Sequence, residues 1–407
     1  MADKKHSLVK REYILPFVLV TALFFMWGFA RSILDVLNKH FQDTLNITMA
    51  ESSMIQVTTY LAYFLMAIPA GIFITRRGYR RGVVLGLLMF GTGALMFIPG
   101  ELAGSFTVFL ISLFVVGCGL VFLETAANPY ITRLGDPATG AGRLNLAQSF
   151  NGLGCILAPA IVAPMLFSET SEASVAVPYS TMGVLVLVIA LIFCFVKLPE
   201  MTSAEGKSSN SDSPMATIKY LLLNGGFMMG VAALFFYEIA EISINSFFIN
   251  YVTADEWLTK SEAAVMLSFG GLGLFMLARV TGSLIMTRVA AEKVLTFCAL
   301  GTVIGATLVI CELDIASKVG LFLCYACEAI MFPTIFALTV RHVEPGSTKM
   351  ASSLLMMTPL GGAVGTLLMG LVADWTTISL AFVVPLVGYL VVLFYTISVL
   401  RSRKVRL

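Results

Sequence analysis

Long apolar runs are the feature that most constrains the fold of this chain. The sequence contains twelve stretches of predominantly apolar residues, each close to the length of about 20 residues that a helix needs to cross a membrane. These runs are 14–38, 54–75, 82–99, 105–132, 144–167, 178–197, 218–251, 262–287, 293–311, 318–341, 351–373 and 378–400. Because a helix satisfies its backbone hydrogen bonds internally, the runs predict an all-α membrane protein of twelve transmembrane helices.

The composition agrees with this prediction and excludes several classes of protein. Only 12% of the 407 residues are charged, whereas soluble domains carry about 25%. The net charge of +2 gives no general attraction to nucleic acid. The C-x-x-C of Cys324 and Cys327 lies in an apolar run without a second pair, so we interpret both as buried small side chains and expect no metal site.

A polar stretch rich in Ser, Asn and Gly divides the runs six and six. It predicts an N-terminal half over 1–198, a cytoplasmic linker over 199–215 and a C-terminal half over 216–407. The two halves share a sequence pattern. Glu124 precedes Pro129 by five residues in the first half, and Glu328 precedes Pro333 by five in the second. Such internal symmetry is typical of secondary transporters.

The distribution of basic residues predicts the orientation of the chain in the membrane. Basic residues concentrate at the N-terminus, in the loops that follow even-numbered runs and at the C-terminus, so the positive-inside rule places both termini in the cytoplasm. We expect a bacterial inner membrane. Three arginines at the cytoplasmic ends of runs two and eight are candidate gating residues: Arg77, Arg81 and Arg288.

The first run carries Arg31, Asp35 and Asn38 on one helical face. One interpretation is an Arg–Asp pair that only makes both charges tolerable in the membrane. The other is that Asp35 titrates or binds substrate, which ionisable groups within membranes commonly do.

Runs four and five carry a lone carboxyl group and several amides. Glu124 and Asn128 are separated by one helical turn, and Asn145, Gln148 and Asn151 recur every three residues. The amides are either interhelical contacts or a surface for a ligand with many hydroxyl groups, because an amide both donates and accepts hydrogen bonds.

The second half carries further acidic residues within apolar runs. Glu238, Glu241 and Asn245 share a face of run seven, and the two carboxyl groups repel when both are ionised, so at least one is protonated or paired. Glu328 in run ten either faces a cavity or is a carboxyl group satisfied within the bundle.

Two motifs resemble a known family: Leu123-Glu-Thr-Ala-Ala-Asn-Pro129, and Arg143-Leu-Asn-Leu-Ala-Gln-Ser-Phe-Asn151. These motifs are similar to those of the L-fucose/proton symporter family of the major facilitator superfamily. The resemblance implies two six-helix halves around a central cavity that opens alternately to each side. It also implies that Asp35 and Glu124 couple protons, that Glu124 touches sugar, and that Gln148 and Asn151 bind sugar hydroxyls.

The sequence therefore predicts a monomeric transporter, not an enzyme, that imports a hexose or 6-deoxyhexose such as L-fucose, glucose or galactose with a proton. No ATP-binding motif is present, so uphill transport must use an ion gradient, and no cofactor is expected. Sodium coupling and export of an amphipathic compound are the alternatives. The predicted substrate-binding residues are Glu124, Asn128, Gln148, Asn151, Asn145, Glu241, Asn245 and Asn38, with Arg31, Glu238 and Glu328 as further coupling or cavity candidates.

Overall fold

The computed structural model describes residues 13–134, 140–167, 174–195, 214–254, 257–286, 288–340, 343, 347, 351 and 354–406. Its regular structure is helical throughout this part of the chain. The helices are α1 (Ile14–Leu45), α2 (Met49–Ser52), α3 (Met54–Arg77), α4 (Tyr79–Leu95), α5 (Phe97–Leu102), α6 (Phe106–Arg133), α7 (Gly140–Leu166), α8 (Ala176–Phe195), α9 (Pro214–Leu223), α10 (Gly225–Ala254), α11 (Lys260–Val265), α12 (Gly273–Met286), α13 (Ala291–Ile310), α14 (Ile315–Glu328), α15 (Met331–Val340), α16 (Leu360–Trp375) and α17 (Val383–Arg406).

The described residues contain 11 helical stretches that are long and apolar enough to cross a membrane. A twelfth apolar helix, α16, is shorter and takes the place of the eleventh predicted run. Within that run Ala351, Leu354 and Leu355 are also helical, and α16 begins at Leu360, directly after Pro359. The prediction of an all-α membrane protein is confirmed.

The helices of the eighth and tenth predicted runs are interrupted. A π-helical segment, Met266–Leu272, joins α11 to α12 in the eighth run. In the tenth run the helix breaks between Glu328 and Met331, and the Arg279 Nε donates a hydrogen bond to the Ala329 carbonyl at 2.9 Å. Such interruptions are often found at functional positions of membrane helices.

The chain forms two compact units. One contains residues 1–34 and 61–206, and the other contains residues 35–60 and 207–407. Helix α1 contributes to both, since its residues up to Leu34 belong to the first unit and those from Asp35 to the second. The predicted division at 199–215 stays a prediction, and most of that linker lies outside the described residues.

Glycines allow close helix packing in the first unit. Helix α4 packs on α6 where Gly86 faces Gly119, and a Cβ added at Gly119 would lie 2.5 Å from the Phe90 nitrogen and 2.6 Å from the Gly86 oxygen. The neighbouring atoms are backbone, which cannot move aside as a flexible side chain can. Close backbone approach at small residues is the usual means of helix association in membranes, where lipid removes most of the hydrophobic driving force.

In the second unit α10 is the central helix. It packs against α15, α16 and α17, and most of its side chains from Ala233 to Val252 are buried. A polar group on α10 must therefore find its hydrogen-bond partner within the bundle, on α10 itself or on a neighbouring helix, because an unpaired buried polar group is costly.

We predict that Gly119→Val destabilises the protein, because overpacking at a close contact typically costs about 1–3 kcal/mol. The expected result is a lower melting temperature in detergent and a smaller yield of monodisperse protein. Gly71→Val in α3 is the matched control, since a Cβ at Gly71 would meet no atom within 4 Å. Equal melting temperatures for the two variants would contradict the packing assignment.

Candidate functional site

The central feature of the first unit is the carboxyl group of Glu124. Glu124 lies on α6, is half-buried, and accepts a hydrogen bond of 2.6 Å from the Tyr63 hydroxyl on α3. This distance is in the range of hydroxyl-to-carboxylate bonds, which are among the stronger ones in proteins. Arg31 on α1 lies close enough to interact electrostatically with Glu124. The structure therefore gives this carboxyl group a hydroxyl partner that the sequence pattern did not identify.

Two amides extend the polar face next to Glu124. Asn128 follows one turn later on α6, and the Gln148 Nε2 on α7 lies 3.5 Å from the Asn128 Oδ1. That distance is long for a hydrogen bond, so the pair is only loosely joined. The side chain of Gln148 is exposed. The first unit thus brings together a carboxyl group and two amides, and their role in binding substrate stays a prediction.

Asn151 differs from the other amides of this run. Its Nδ2 donates to the Phe24 carbonyl of α1 at 3.2 Å, and it packs closely on Gly28 of the same helix. One of its donors is therefore used to pair α7 with α1. The side chain of Asn145 lies outside the described part of the structure.

The second unit contains the residues that follow Leu34 on α1. Asp35 and Asn38 are both buried, and Gln56 on α3 donates to the Asp35 Oδ1 at 3.2 Å. The Asn38 Nδ2 donates to the Ser246 carbonyl on α10 at 2.8 Å. Asn38, predicted to bind substrate, thus has one donor engaged by the protein itself. That role stays a prediction.

Three side chains form a hydrogen-bonded chain beside α10. The Tyr325 hydroxyl on α14 donates to the Asn245 Oδ1 at 2.8 Å, and the Asn245 Nδ2 donates to the Glu241 Oε1 at 3.2 Å. The predicted pair of Glu241 and Asn245 therefore acts as one polar group, with Tyr325 as an added member. Glu238, on the same helix, is 3% exposed.

Glu328 is fully buried at the end of α14. The Tyr389 hydroxyl on α17 donates to its Oε2 at 2.6 Å. The Glu328 Oε1 is also buried, and it has no hydrogen-bond partner among the described residues, so only one of its two oxygens is satisfied and both interpretations of Glu328 stay open.

The candidate gating arginines Arg77, Arg81 and Arg288 are exposed at helix ends. Their gating role stays a prediction. A neighbouring arginine makes the more specific contact: the Arg80 Nε donates to the Phe193 carbonyl at 3.0 Å, and its guanidinium also reaches the Cys194 carbonyl. Arg80 therefore caps the last turn of α8, where unpaired carbonyl groups favour a cation. Among the described residues, no group of His, Cys, Asp and Glu side chains is arranged to hold a metal ion.

Comparisons with known proteins agree with this architecture. The family model "Major Facilitator Superfamily" matches residues 20–357. The L-fucose-proton symporter of Escherichia coli is 32% identical over 95% of this chain and 93% of its own length. The glucose/galactose transporter of Brucella abortus is 33% identical over 95% of this chain and 94% of its own length.

The solved structures include one of the same group. A crystal structure of the Escherichia coli fucose:proton symporter superposes with a TM-score of 0.72 at 30% identity, covering 95% of this chain and 98% of that one. The relatives are membrane transporters rather than enzymes. The chain belongs to the major facilitator superfamily, in the group that holds the L-fucose-proton symporters and the glucose/galactose transporters.

Proposed function

We propose that the protein imports a hexose or 6-deoxyhexose together with a proton, by alternating access. The observation that carries this proposal is the polar face of the first unit, where the Glu124 carboxyl group, held by Tyr63, lies one turn from the amide pair of Asn128 and Gln148. Carboxyl and amide groups together donate and accept, as a ligand with several hydroxyl groups requires. The names of the relatives, an L-fucose-proton symporter and a glucose/galactose transporter, support the same substrate class.

The coupling mechanism follows from the cost of placing a charge in hydrocarbon. An ionised carboxylate in a closed cavity is expensive, whereas the neutral acid is not. In this proposal protonation of Asp35 or Glu124 makes closure of the loaded transporter favourable, and loss of the proton on the other side resets it. Glu124 also contacts the sugar, and Gln148 and Asn151 bind its hydroxyl groups.

Import into the bacterial cytoplasm depends on the orientation of the protein in the membrane. The exposed Arg77, Arg81 and Arg288 at helix ends support cytoplasmic ends for these helices, and hence cytoplasmic termini. We propose a monomer in the inner membrane.

Uptake into vesicles tests the proposal. Purified protein in liposomes is given labelled L-fucose, D-glucose or D-galactose under an inward proton gradient, an inward sodium gradient, or neither. We expect accumulation of at least one of these sugars under the proton gradient alone. Accumulation driven only by sodium would replace the proton as the coupling ion, and failure to exchange any of the sugars would overturn the substrate class.

We predict that Glu124→Gln abolishes accumulation driven by the proton gradient but retains exchange of sugar across the membrane. The amide keeps the shape and can still accept the hydrogen bond from Tyr63, but it cannot bind and release a proton. Labelled sugar uptake with and without a gradient measures the two activities. Glu312→Gln is the control, because Glu312 is an exposed carboxyl group. Full accumulation by Glu124→Gln would exclude Glu124 as a coupling group.

We predict that Tyr63→Phe lowers accumulation about tenfold or more, since a hydrogen bond to an ionisable group contributes about 1.5–3 kcal/mol. The ring remains, so only the donor to Glu124 is lost. Tyr220→Phe, which removes the hydroxyl of an exposed tyrosine on α9, is the control. Wild-type accumulation by Tyr63→Phe would show that this hydrogen bond plays no part in transport.

A further inference from the structure

A row of buried amides and hydroxyls joins residues 35–60 to α10 within the second unit. We call it the amide seam and define it by Asn38, Gln42 and Gln56 on one side and Ser246 and Asn250 on the other. The Asn250 Nδ2 donates to the Gln42 Oε1 at 2.6 Å, and Asn38 donates to the Ser246 carbonyl. All five side chains are less than 9% exposed. The seam is therefore a buried polar contact, in which the Asn38 Oδ1 and the Asn250 Oδ1 lack a hydrogen-bond partner among the described residues.

Gln56 is the member of the seam that touches a titratable group. Its Nε2 donates to the Ser246 Oγ at 2.7 Å and to the Asp35 Oδ1 at 3.2 Å. Both donors of the amide are therefore used. Gln42 makes a comparable pair of contacts, to Asn250 and to the Ser52 Oγ, but neither partner is ionisable.

The other end of the Gln56 amide lacks a donor. Its Oε1 is buried and has no hydrogen-bond partner among the residues that the structure describes, although Gln56 is only 1% exposed. A buried acceptor without a donor is costly, and such groups need a specific explanation.

A neutral Asp35 would supply the missing donor. A carboxylic acid and a primary amide can form two hydrogen bonds at once: the amide N–H donates to one carboxyl oxygen, and the acid O–H donates to the amide oxygen. The first of these bonds is present. An ionised Asp35 has no proton to donate and would leave the Gln56 Oε1 unsatisfied beside a negative charge.

Other charged and titratable groups face Asp35. Arg31 lies one turn earlier on α1 and favours the ionised form. Tyr325 on α14 interacts electrostatically with Asp35 and also with Glu241 on α10. The carboxylate of Glu241 would oppose a second negative charge. Asp35 therefore lies beside an amide acceptor that requires its neutral form.

We propose that Gln56 is the positioning residue that makes formation of the amide seam depend on a proton on Asp35. This inference rests on the proposed function, in which Asp35 carries a proton during transport. The seam forms when the neutral acid donates to the Gln56 Oε1, and it separates when Asp35 is ionised and the Oε1 must be hydrated. Gln42 stabilises the same seam without sensing the proton.

A double-mutant cycle tests the proposal. Asp35→Asn mimics the neutral acid, because its amide both accepts from and donates to Gln56, whereas Asp35→Leu makes neither bond. Each substitution at position 35 is made in three backgrounds: the otherwise unchanged chain, the Gln56→Leu variant and the Gln42→Leu variant. Two properties are measured for each purified variant: exchange of labelled sugar in liposomes and the melting temperature in detergent.

We expect Asp35→Asn to exchange sugar about tenfold or more faster than Asp35→Leu and to melt at a higher temperature, as two buried hydrogen bonds predict. This difference between Asp35→Asn and Asp35→Leu disappears in the Gln56→Leu background and persists in the Gln42→Leu background. In chains that keep Asp35, Gln56→Leu moves the pH of half-maximal exchange by about one unit or more, and Gln42→Leu does not.

The proposal would be overturned if Asp35→Asn exceeded Asp35→Leu equally in all three backgrounds. An unchanged pH profile of exchange in the Gln56→Leu variant would also overturn it. Either result would mean that Gln56 does not couple the seam to a proton on Asp35. Complete absence of sugar exchange in the wild type would overturn the proposed function instead. In that case the melting temperatures still decide the interaction between Gln56 and position 35.

Discussion

The cost of an unpaired polar group in an apolar bundle governs this structure. Each of three buried or half-buried acids has a specific donor: Tyr63 for Glu124, Gln56 for Asp35 and Tyr389 for Glu328. These three donors are uncharged, although Arg31 also lies close enough to Glu124 to interact with it electrostatically. An uncharged donor stabilises a carboxyl group in either protonation state, whereas a cation favours the carboxylate. If Asp35 and Glu124 carry the proton as proposed, partners of this neutral kind allow each to be both protonated and ionised.

The apolar runs were sufficient to predict the fold. Their number, length and six-plus-six arrangement indicated a twelve-helix transporter, and the family model and the fucose:proton symporter structure agree with it. What periodicity could not predict was where a helix departs from α geometry. The π-helical segment and the break after Glu328 depend on tertiary contacts, such as the bond from Arg279 to the Ala329 carbonyl.

The candidate site was predicted only in part. Acids and amides in apolar runs are conspicuous in sequence, so Glu124, Asn128, Gln148 and Asp35 could be named. Their partners are ordinary residues at remote positions, since Tyr63 lies 61 residues from Glu124 and Tyr389 lies 61 from Glu328. Nothing local marks a tyrosine as the partner of a particular acid. Only the packing of one helix against another reveals it.

The π-helical segment of the eighth run has a consequence for how that membrane span is probed. A π turn accommodates one extra residue, which rotates all later side chains by about 100° relative to a continuous α-helix. A helical wheel drawn from Lys260 to Met286 would therefore assign Arg279 and its neighbours to the wrong side. Labelling or cysteine-scanning data from this span should be interpreted on two separate helical wheels, of which the second begins at Gly273.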